Sequence, residues 1–177
     1  MENNNLYNRN VNFKFSPAFN TNKVAIDFFA EKKKPSEEKL PEILFLTTYP
    51  PRECGIATYS EDLIKALRNQ FVYSFDIQIC ALESKKEKHT YKNKDVKYIL
   101  DTSDAASYKV LAEKINADSN IKVVLLQHEF GLFAEGESAF LEFVSNVNKP
   151  IVFVFHTVLP RPDEDYKQKV QHLLDHA

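Results

Sequence analysis

Short apolar runs separated by amphipathic segments dominate the chain from Glu42 onward. Five of these runs have the length and composition of β-strands, and they cover residues 43–47, 75–82, 96–100, 122–127 and 151–155. Most of the segments between them place apolar residues at the 3.6-residue period of a helix. Strands that alternate with helices are typical of βαβ units, so the pattern predicts a parallel sheet.

Three of the predicted helices carry one apolar stripe each. The stripes are Leu63, Ile64, Leu67 and Phe71 in the first helix, Tyr108, Leu111, Ala112 and Ile115 in the second, and Phe140, Leu141, Val144 and Val147 in the third. Asp104 stands just before the second helix, where its carboxylate can cap the first turn. We expect each stripe to pack against the sheet.

Two of the predicted strands are apolar without interruption. Residues 123–126 read Val-Val-Leu-Leu, and residues 151–155 read Ile-Val-Phe-Val-Phe. A strand that is buried on both faces of a parallel sheet has this composition, whereas a half-exposed strand alternates apolar and polar residues. The sequence therefore predicts an α/β fold with a Rossmann-like, doubly wound parallel sheet.

Residues 1–41 differ in composition from the rest of the chain. They begin with an Asn-rich stretch, and residues 31–41 are charged and broken by proline, as in a linker. The apolar residues between these two parts are too many for a fully solvated tail. We expect an N-terminal extension with a charged linker over residues 1–41 and one domain over residues 42–177. The lysines at 32–34 allow at most peripheral contact with a membrane.

Composition narrows the classes of partner and compartment. The formal net charge of -2 and the pI of about 6.2 give no field that would draw the molecule onto nucleic acid, so no nucleic-acid partner is expected. Cys54 and Cys80 lack the spacing of a disulfide framework or a zinc site. No apolar run approaches the ~20 residues that span a bilayer. These features indicate a cytoplasmic protein.

The residues just after the predicted strands carry the candidate chemistry, because ligands bind parallel sheets outside the carboxyl ends of the strands. Arg52 and Gly55 follow the first strand, and Gly55 opens the first helix. A helix N-terminus stabilises an anion through its unpaired N–H groups, and a glycine lets the anion approach closely. The alternative is that this loop only shapes a connection and binds nothing.

Two histidines follow later strands. His128 and Glu129 come at the end of the fourth strand, and His156 comes at the end of the fifth. We expect them to converge on one rim, where a neutral imidazole can donate to a hydroxyl. Each also has a structural alternative, since histidine at a strand end often serves a local hydrogen bond and Glu129 suits a solvated loop. Their spacing does not call for a metal. The lysine-rich residues 84–95 are interpreted as a solvated connection, with an acceptor-binding role as the less favoured alternative.

Three loops together resemble a known family. Residues 50–59 read PPRECGIATY, residues 127–131 read QHEFG and residues 154–157 read VFHT. In order and spacing they are similar to the amino-terminal domain of the retaining GT-B glycosyltransferases of family four. The resemblance covers residues 42–177. Cys54 stands where many members have the first of two adjacent glycines.

The resemblance implies a fold, an activity and roles for individual residues. Members have two Rossmann-like domains, of which the amino-terminal one mainly holds the acceptor and the other binds a nucleotide-sugar donor without a metal. By resemblance, the loop of Gly55 lies near the donor diphosphate and His128 contacts the transferred sugar as the catalytic residue. Arg52, Glu129 and His156 line or support the acceptor side. The expected ligands are a nucleotide sugar and a glycan or lipid-linked acceptor, with no cofactor.

The donor-binding carboxylates of that family have no counterpart in this sequence, and an amphipathic pattern at its end has no stop signal. That last pattern consists of Tyr166, Val170, Leu173 and Leu174. We therefore expect the acceptor-side part of a sugar transferase, a fragment that is inactive until a C-terminal donor-binding domain joins it in cis or in trans. The alternative is a stand-alone, non-catalytic binding module with half of a GT-B fold. A third and weaker alternative is a different nucleotide-dependent enzyme of the same architecture, such as a sugar epimerase.

Overall fold

The computed structural model describes residues 39–177, so the extension predicted for residues 1–41 lies outside the described residues except for its last three. The strands are β1 (Glu42–Thr47), β2 (Asp76–Glu83), β3 (Val96–Asp101), β4 (Ile121–His128) and β5 (Ile151–Phe155). The helices are α1 (Gly55–Gln70), α2 (Ala105–Ala117), α3 (Phe130–Phe133), α4 (Glu137–Asn146) and α5 (Glu164–Leu174), with a 3₁₀ turn at Ala134–Gly136. Each strand lies where an apolar run predicted it.

All strand pairs are parallel, and the strands lie in the order β3-β2-β1-β4-β5. The chain builds outward from β1 to β3 and then returns across the sheet to β4 and β5. This reversal puts α1 on one side of the sheet and α2 and α4 on the other. Right-handed crossovers that run in opposite directions along a sheet place their helices on opposite faces. The predicted Rossmann-like, doubly wound parallel sheet is confirmed.

The larger hydrophobic core lies on the side of α2 and α4. Leu46, Leu126 and Leu100 from the strands meet Tyr108 of α2 and Phe140 of α4, all at most 2 % exposed. The stripe predicted for α2 is buried in full, and Asp104 caps this helix by accepting a hydrogen bond from the backbone N–H of Ala106. The apolar periodicity therefore located this layer correctly.

The smaller core lies on the side of α1. Ile64 of α1 packs against Phe45 of β1 and against Ile77 and Ile79 of β2, all of which are at most 1 % exposed. Thr47 and Ser60 are also buried there, and their hydroxyl oxygens lie 2.6 Å apart. This pair joins the second turn of α1 to the carboxyl end of β1 and so fixes where the helix begins over the sheet.

The connection between β2 and β3 is not simply solvated, as its charged sequence led us to expect. Tyr91 packs against the smaller core, and Ser84 and Glu87 form an isolated antiparallel bridge. The backbone N–H of His89 donates to the carboxylate of the buried Glu83 over 2.7 Å. A few inward-facing side chains order this segment, while its lysines remain at the surface.

The prediction that β5 is buried on both faces is wrong. β5 lies at the edge of the sheet, and Val152 is 47 % exposed. Ile151 and Phe153 pack on the larger core, whereas Val152 on the opposite face is largely open to solvent. The apolar composition of β5 correctly indicated one buried face, but it does not indicate whether a strand lies at the edge of the sheet.

Among residues 39–177, no helix has both the length and the apolar composition needed to cross a membrane.

Candidate functional site

The five residues singled out from the sequence all lie at the carboxyl end of the sheet, but their side chains do not form one group. Successive residues of a strand point to opposite faces, so His128 points to the side of α4 and His156 to the side of α1. The expectation that all these side chains crowd one rim is therefore wrong. They divide into a buried histidine site, an open site beside α1, and two positions tied into loops.

His128 is enclosed by aromatic rings and is only 2 % exposed. Its ring centroid lies 4.5 Å from that of Phe130, 5.2 Å from Phe155, 5.5 Å from Phe133 and 5.6 Å from Phe140. Burial lowers the pKa of His128 to about 4, although the carboxylate of Glu129 acts in the opposite direction. The imidazole is therefore neutral at pH 7, and its Nδ1 is buried without a hydrogen-bond partner among the residues that the structure describes.

Helix α5 forms part of the wall over His128. A cleft of about 10 Å³ borders the histidine and is also lined by Glu137, Lys169 and Leu173. Lys169 Nζ lies 3.0 Å from a carboxylate oxygen of Glu137, and the ring of Tyr166 lies 4.4 Å from that of Phe130. A sugar can reach His128 only if this wall moves. Contact between His128 and a transferred sugar stays a prediction.

His156 lies half-buried on the side of α1, where three contacts hold it. Its Nε2 lies 2.6 Å from Oε1 of Gln127, and its ring meets that of Tyr59 edge-on with centroids 5.3 Å apart. Its backbone N–H donates to the carbonyl of His128 over 3.0 Å. Tyr59 is one turn after Gly55 in α1, so the imidazole lies close to the start of that helix.

The N-terminus of α1 is open. Cys54 precedes the helix with an extended backbone, makes no side-chain cap, and places Sγ 3.2 Å from the hydroxyl of Thr48. No acidic residue occupies the first turn, and a Cβ added at Gly55 would meet no atom of residues 39–177 within 4 Å. Gly55 is exposed, and within the described part of the chain no side chain caps this turn, as an anion site requires.

Glu129 and Arg52 are tied into loops. Glu129 accepts a hydrogen bond of 2.5 Å from the hydroxyl of Thr157, which joins the ends of β4 and β5. Arg52 pairs with Glu87 over 2.9 Å and so holds the β1–α1 loop against the β2–β3 connection. Arg52 Nε is nevertheless buried without a hydrogen-bond partner from residues 39–177. Both residues support the loops around the open site, and neither is presented freely to solvent.

Sequence reasoning missed Gln127 and Tyr59. Gln127 is fully buried with 0 % exposure, and its amide nitrogen has no hydrogen-bond partner in the described range 39–177. The two-residue period of strands was the available signal for Gln127, since it puts this residue on the opposite face of β4 from His128. Tyr59 lay within a matched motif but was not given a role.

Residues 39–177 contain no group of three or more histidine, cysteine, aspartate or glutamate side chains that could hold a metal ion. A groove of about 320 Å³ does occur between α2 and α4, but its charged lining residues, Lys109, Glu113 and Glu142, form ordinary helix surface. No family model, curated protein or solved structure matches this chain.

Proposed function

We propose that this chain is the acceptor-side domain of a sugar transferase that takes a sugar from a nucleotide sugar and passes it, with retention, to a glycan or lipid-linked acceptor. One observation carries the proposal: an uncapped helix N-terminus and a half-buried imidazole lie on the same side of the sheet at its carboxyl end. Gly55 begins that helix and His156 supplies the imidazole. The first suits a diphosphate and the second suits a sugar hydroxyl.

The chemistry of sugar transfer gives each of these groups a task. A departing nucleotide diphosphate gains negative charge, and an oriented helix N-terminus stabilises that charge without reorganising during the reaction. Cys54 does not obstruct the approach, because its side chain turns toward Thr48. His156 offers a polar contact for a hydroxyl of the sugar substrate, and Glu129 and Thr157 fix the loop that carries it.

Catalysis in this proposal needs a second domain that binds the donor nucleotide. We expect the 177-residue chain by itself to transfer no sugar from any nucleotide sugar. His128 would then act behind the wall formed by Phe130 and α5, and it would reach the transferred sugar only after that wall moves. In an enzyme completed by a donor-binding domain, His128→Ala should lower turnover by about 10²-fold, as expected for loss of a transition-state contact.

One observation favours a second candidate, a binding module without catalytic activity. His128 is 2 % exposed, so the residue expected to act on the sugar is closed off in the described arrangement. A module of this kind would use the open site beside α1 alone. The two candidates agree on where a sugar binds. They differ in whether His128 takes part in catalysis.

Binding of sugars to the isolated chain tests what the two candidates share. Methyl glycosides of glucose, galactose, mannose and N-acetylglucosamine can be screened by saturation-transfer NMR against the full chain. We expect at least one of them to bind and His156→Phe to abolish that binding, because phenylalanine keeps the ring contact with Tyr59 and removes the polar nitrogens.

Lys109→Ala is the matched control, since Lys109 lines the distant groove between α2 and α4. It should bind the same glycosides as the wild type. Binding that survives in His156→Phe and disappears in Lys109→Ala would refute the proposed location of the site.

A further inference from the structure

Within residues 39–177, the fully buried amide of Gln127 makes one hydrogen bond, and its partner is His156. Gln127 Oε1 lies 2.6 Å from His156 Nε2, while the amide nitrogen of Gln127 is buried without a partner among these residues. Glutamine is seldom buried completely, and a buried polar group that leaves a donor unsatisfied carries an energetic cost. A side chain kept at such a cost needs a reason beyond packing.

The contact indicates which nitrogen of the imidazole carries the proton. A carbonyl oxygen is only an acceptor, so a 2.6 Å contact with Oε1 is favourable only when Nε2 of His156 is protonated and donates. In a neutral ring the other nitrogen, Nδ1, then bears the lone pair. A rotated carboxamide would put its NH₂ group against Nε2 and would reverse this assignment.

Nδ1 of His156 is the nitrogen that remains available. It makes no hydrogen bond within residues 39–177, and it is not among the buried atoms that lack a partner. The edge-on contact with Tyr59 and the contact with Gln127 hold the plane of the ring. If Nε2 carries the proton, an imidazole held in this way has its donor toward Gln127 and keeps Nδ1 as an acceptor that no residue of 39–177 occupies.

We propose that Gln127 is a positioning residue that holds His156 in the Nε2–H tautomer, so that Nδ1 accepts a hydrogen bond from a hydroxyl of the sugar bound beside α1. The inference rests on the proposed function and deepens it, because it names the hydrogen bond by which the site recognises a polyhydroxylated ligand. A neutral amide suits this role better than a carboxylate, which would favour the imidazolium and remove the acceptor.

The tautomer of His156 can be measured on the 177-residue chain without any ligand. In a ¹⁵N-labelled sample at pH 8, long-range ¹H–¹⁵N correlation spectra separate protonated from unprotonated ring nitrogens, and His156→Phe identifies the signals among the five histidines. We expect a protonated Nε2 whose proton exchanges slowly with water, and an unprotonated Nδ1. A protonated Nδ1 in the wild type would overturn the inference.

Two variants of Gln127 separate positioning from packing. Gln127→Met keeps the volume without a hydrogen bond, and Gln127→Glu keeps an acceptor at the same place. The slowly exchanging Nε2 proton should be lost in Gln127→Met and retained in Gln127→Glu. If both variants keep it, or if both lose it while the circular dichroism spectrum stays that of the wild type, Gln127 does not position His156. The wild-type spectrum still decides the tautomer if a variant fails to fold.

A titration of the wild type with a methyl glycoside tests the ligand part of the inference. On binding, the Nδ1 resonance of His156 should move toward the position of a hydrogen-bonded acceptor. Saturable binding that leaves Nδ1 unmoved would overturn the hydroxyl contact. If none of the four glycosides binds, the sugar-binding proposal and the hydroxyl contact both fail. The positioning role of Gln127 is tested separately, by the measured tautomer of His156.

Discussion

Replacing His128 should change how the stability of the chain depends on pH. The pKa of this residue is lowered from 6.5 to about 4 because burial among aromatic rings disfavours the charged imidazolium. The unfolded chain binds the proton near pH 6.5 and the folded chain only near pH 4. His128 therefore does not lower the free energy of unfolding above pH 6.5. It lowers this free energy increasingly as the pH falls from 6.5 to 4.

The size of the effect follows from the shift. Each pKa unit corresponds to 1.36 kcal/mol, so the two states differ by about 3 kcal/mol once the pH reaches 4. His128→Leu removes the titrating group, and any packing loss that it causes does not depend on pH. The free energy of unfolding of the wild type should fall by about 3 kcal/mol more than that of His128→Leu between pH 7 and pH 4.

Urea unfolding at half-unit pH steps, followed by circular dichroism, measures this difference. His172→Leu is the matched control, because it makes the same exchange of histidine for leucine at a more exposed position on α5. Histidine NMR of the folded wild type gives a second reading that needs no variant. Parallel curves for the wild type and His128→Leu, together with an imidazole that titrates above pH 6, would refute the argument that burial controls His128.

Two further substitutions test the packing and the charges around the sheet. Gly136→Ala should destabilise the chain by about 1–3 kcal/mol, because a Cβ there would lie 2.4 Å from the carbonyl oxygen of Thr102. Gly131→Ala is its control in urea unfolding and should be neutral or stabilising by up to ~1 kcal/mol, since its Cβ meets nothing within 4 Å inside a helix. An equal loss of unfolding free energy in both variants would contradict this steric explanation. Lys97→Met should cost about 1 kcal/mol at pH 7, because Lys97 donates to Asp118 over 2.7 Å and lowers the pKa of that carboxyl group. A carboxyl group whose pKa is lowered in the folded state stabilises the fold at pH values above its pKa in the unfolded chain. The cost of Lys97→Met should therefore shrink as the pH falls below 3.8, and a cost that grows would contradict this expectation.

The sheet could be predicted because its strands differ strongly in composition from their surroundings. Runs such as residues 123–126 have enough apolar residues to mark a strand, and the alternation with helices fixes parallel pairing. The exposure of β5 could not be predicted, because Val152 is as apolar as a core residue. The sequence of a strand shows which of its residues can be buried. It does not show whether the strand has a neighbouring strand on both sides.

The candidate site could be predicted only as a location. The rule that ligands bind beyond the carboxyl ends of the strands placed Gly55, His128 and His156 at the same edge. Their division between two faces follows from the alternation of β4 and β5, which the sequence contains. The contact of Gln127 with His156 was out of reach, because it joins residues 29 positions apart through the register of two strands.

Mapping a bound sugar by amide chemical shifts is the most direct test of the central claim, that the edge beside α1 is the ligand site. A ¹H–¹⁵N spectrum of the full chain is titrated with the best-binding methyl glycoside. The account predicts that the largest shifts fall on the first turns of α1, from Gly55 to Tyr59, and on Gln127 and His156. Shifts concentrated between α2 and α4, at residues such as Lys109 and Glu142, would contradict it.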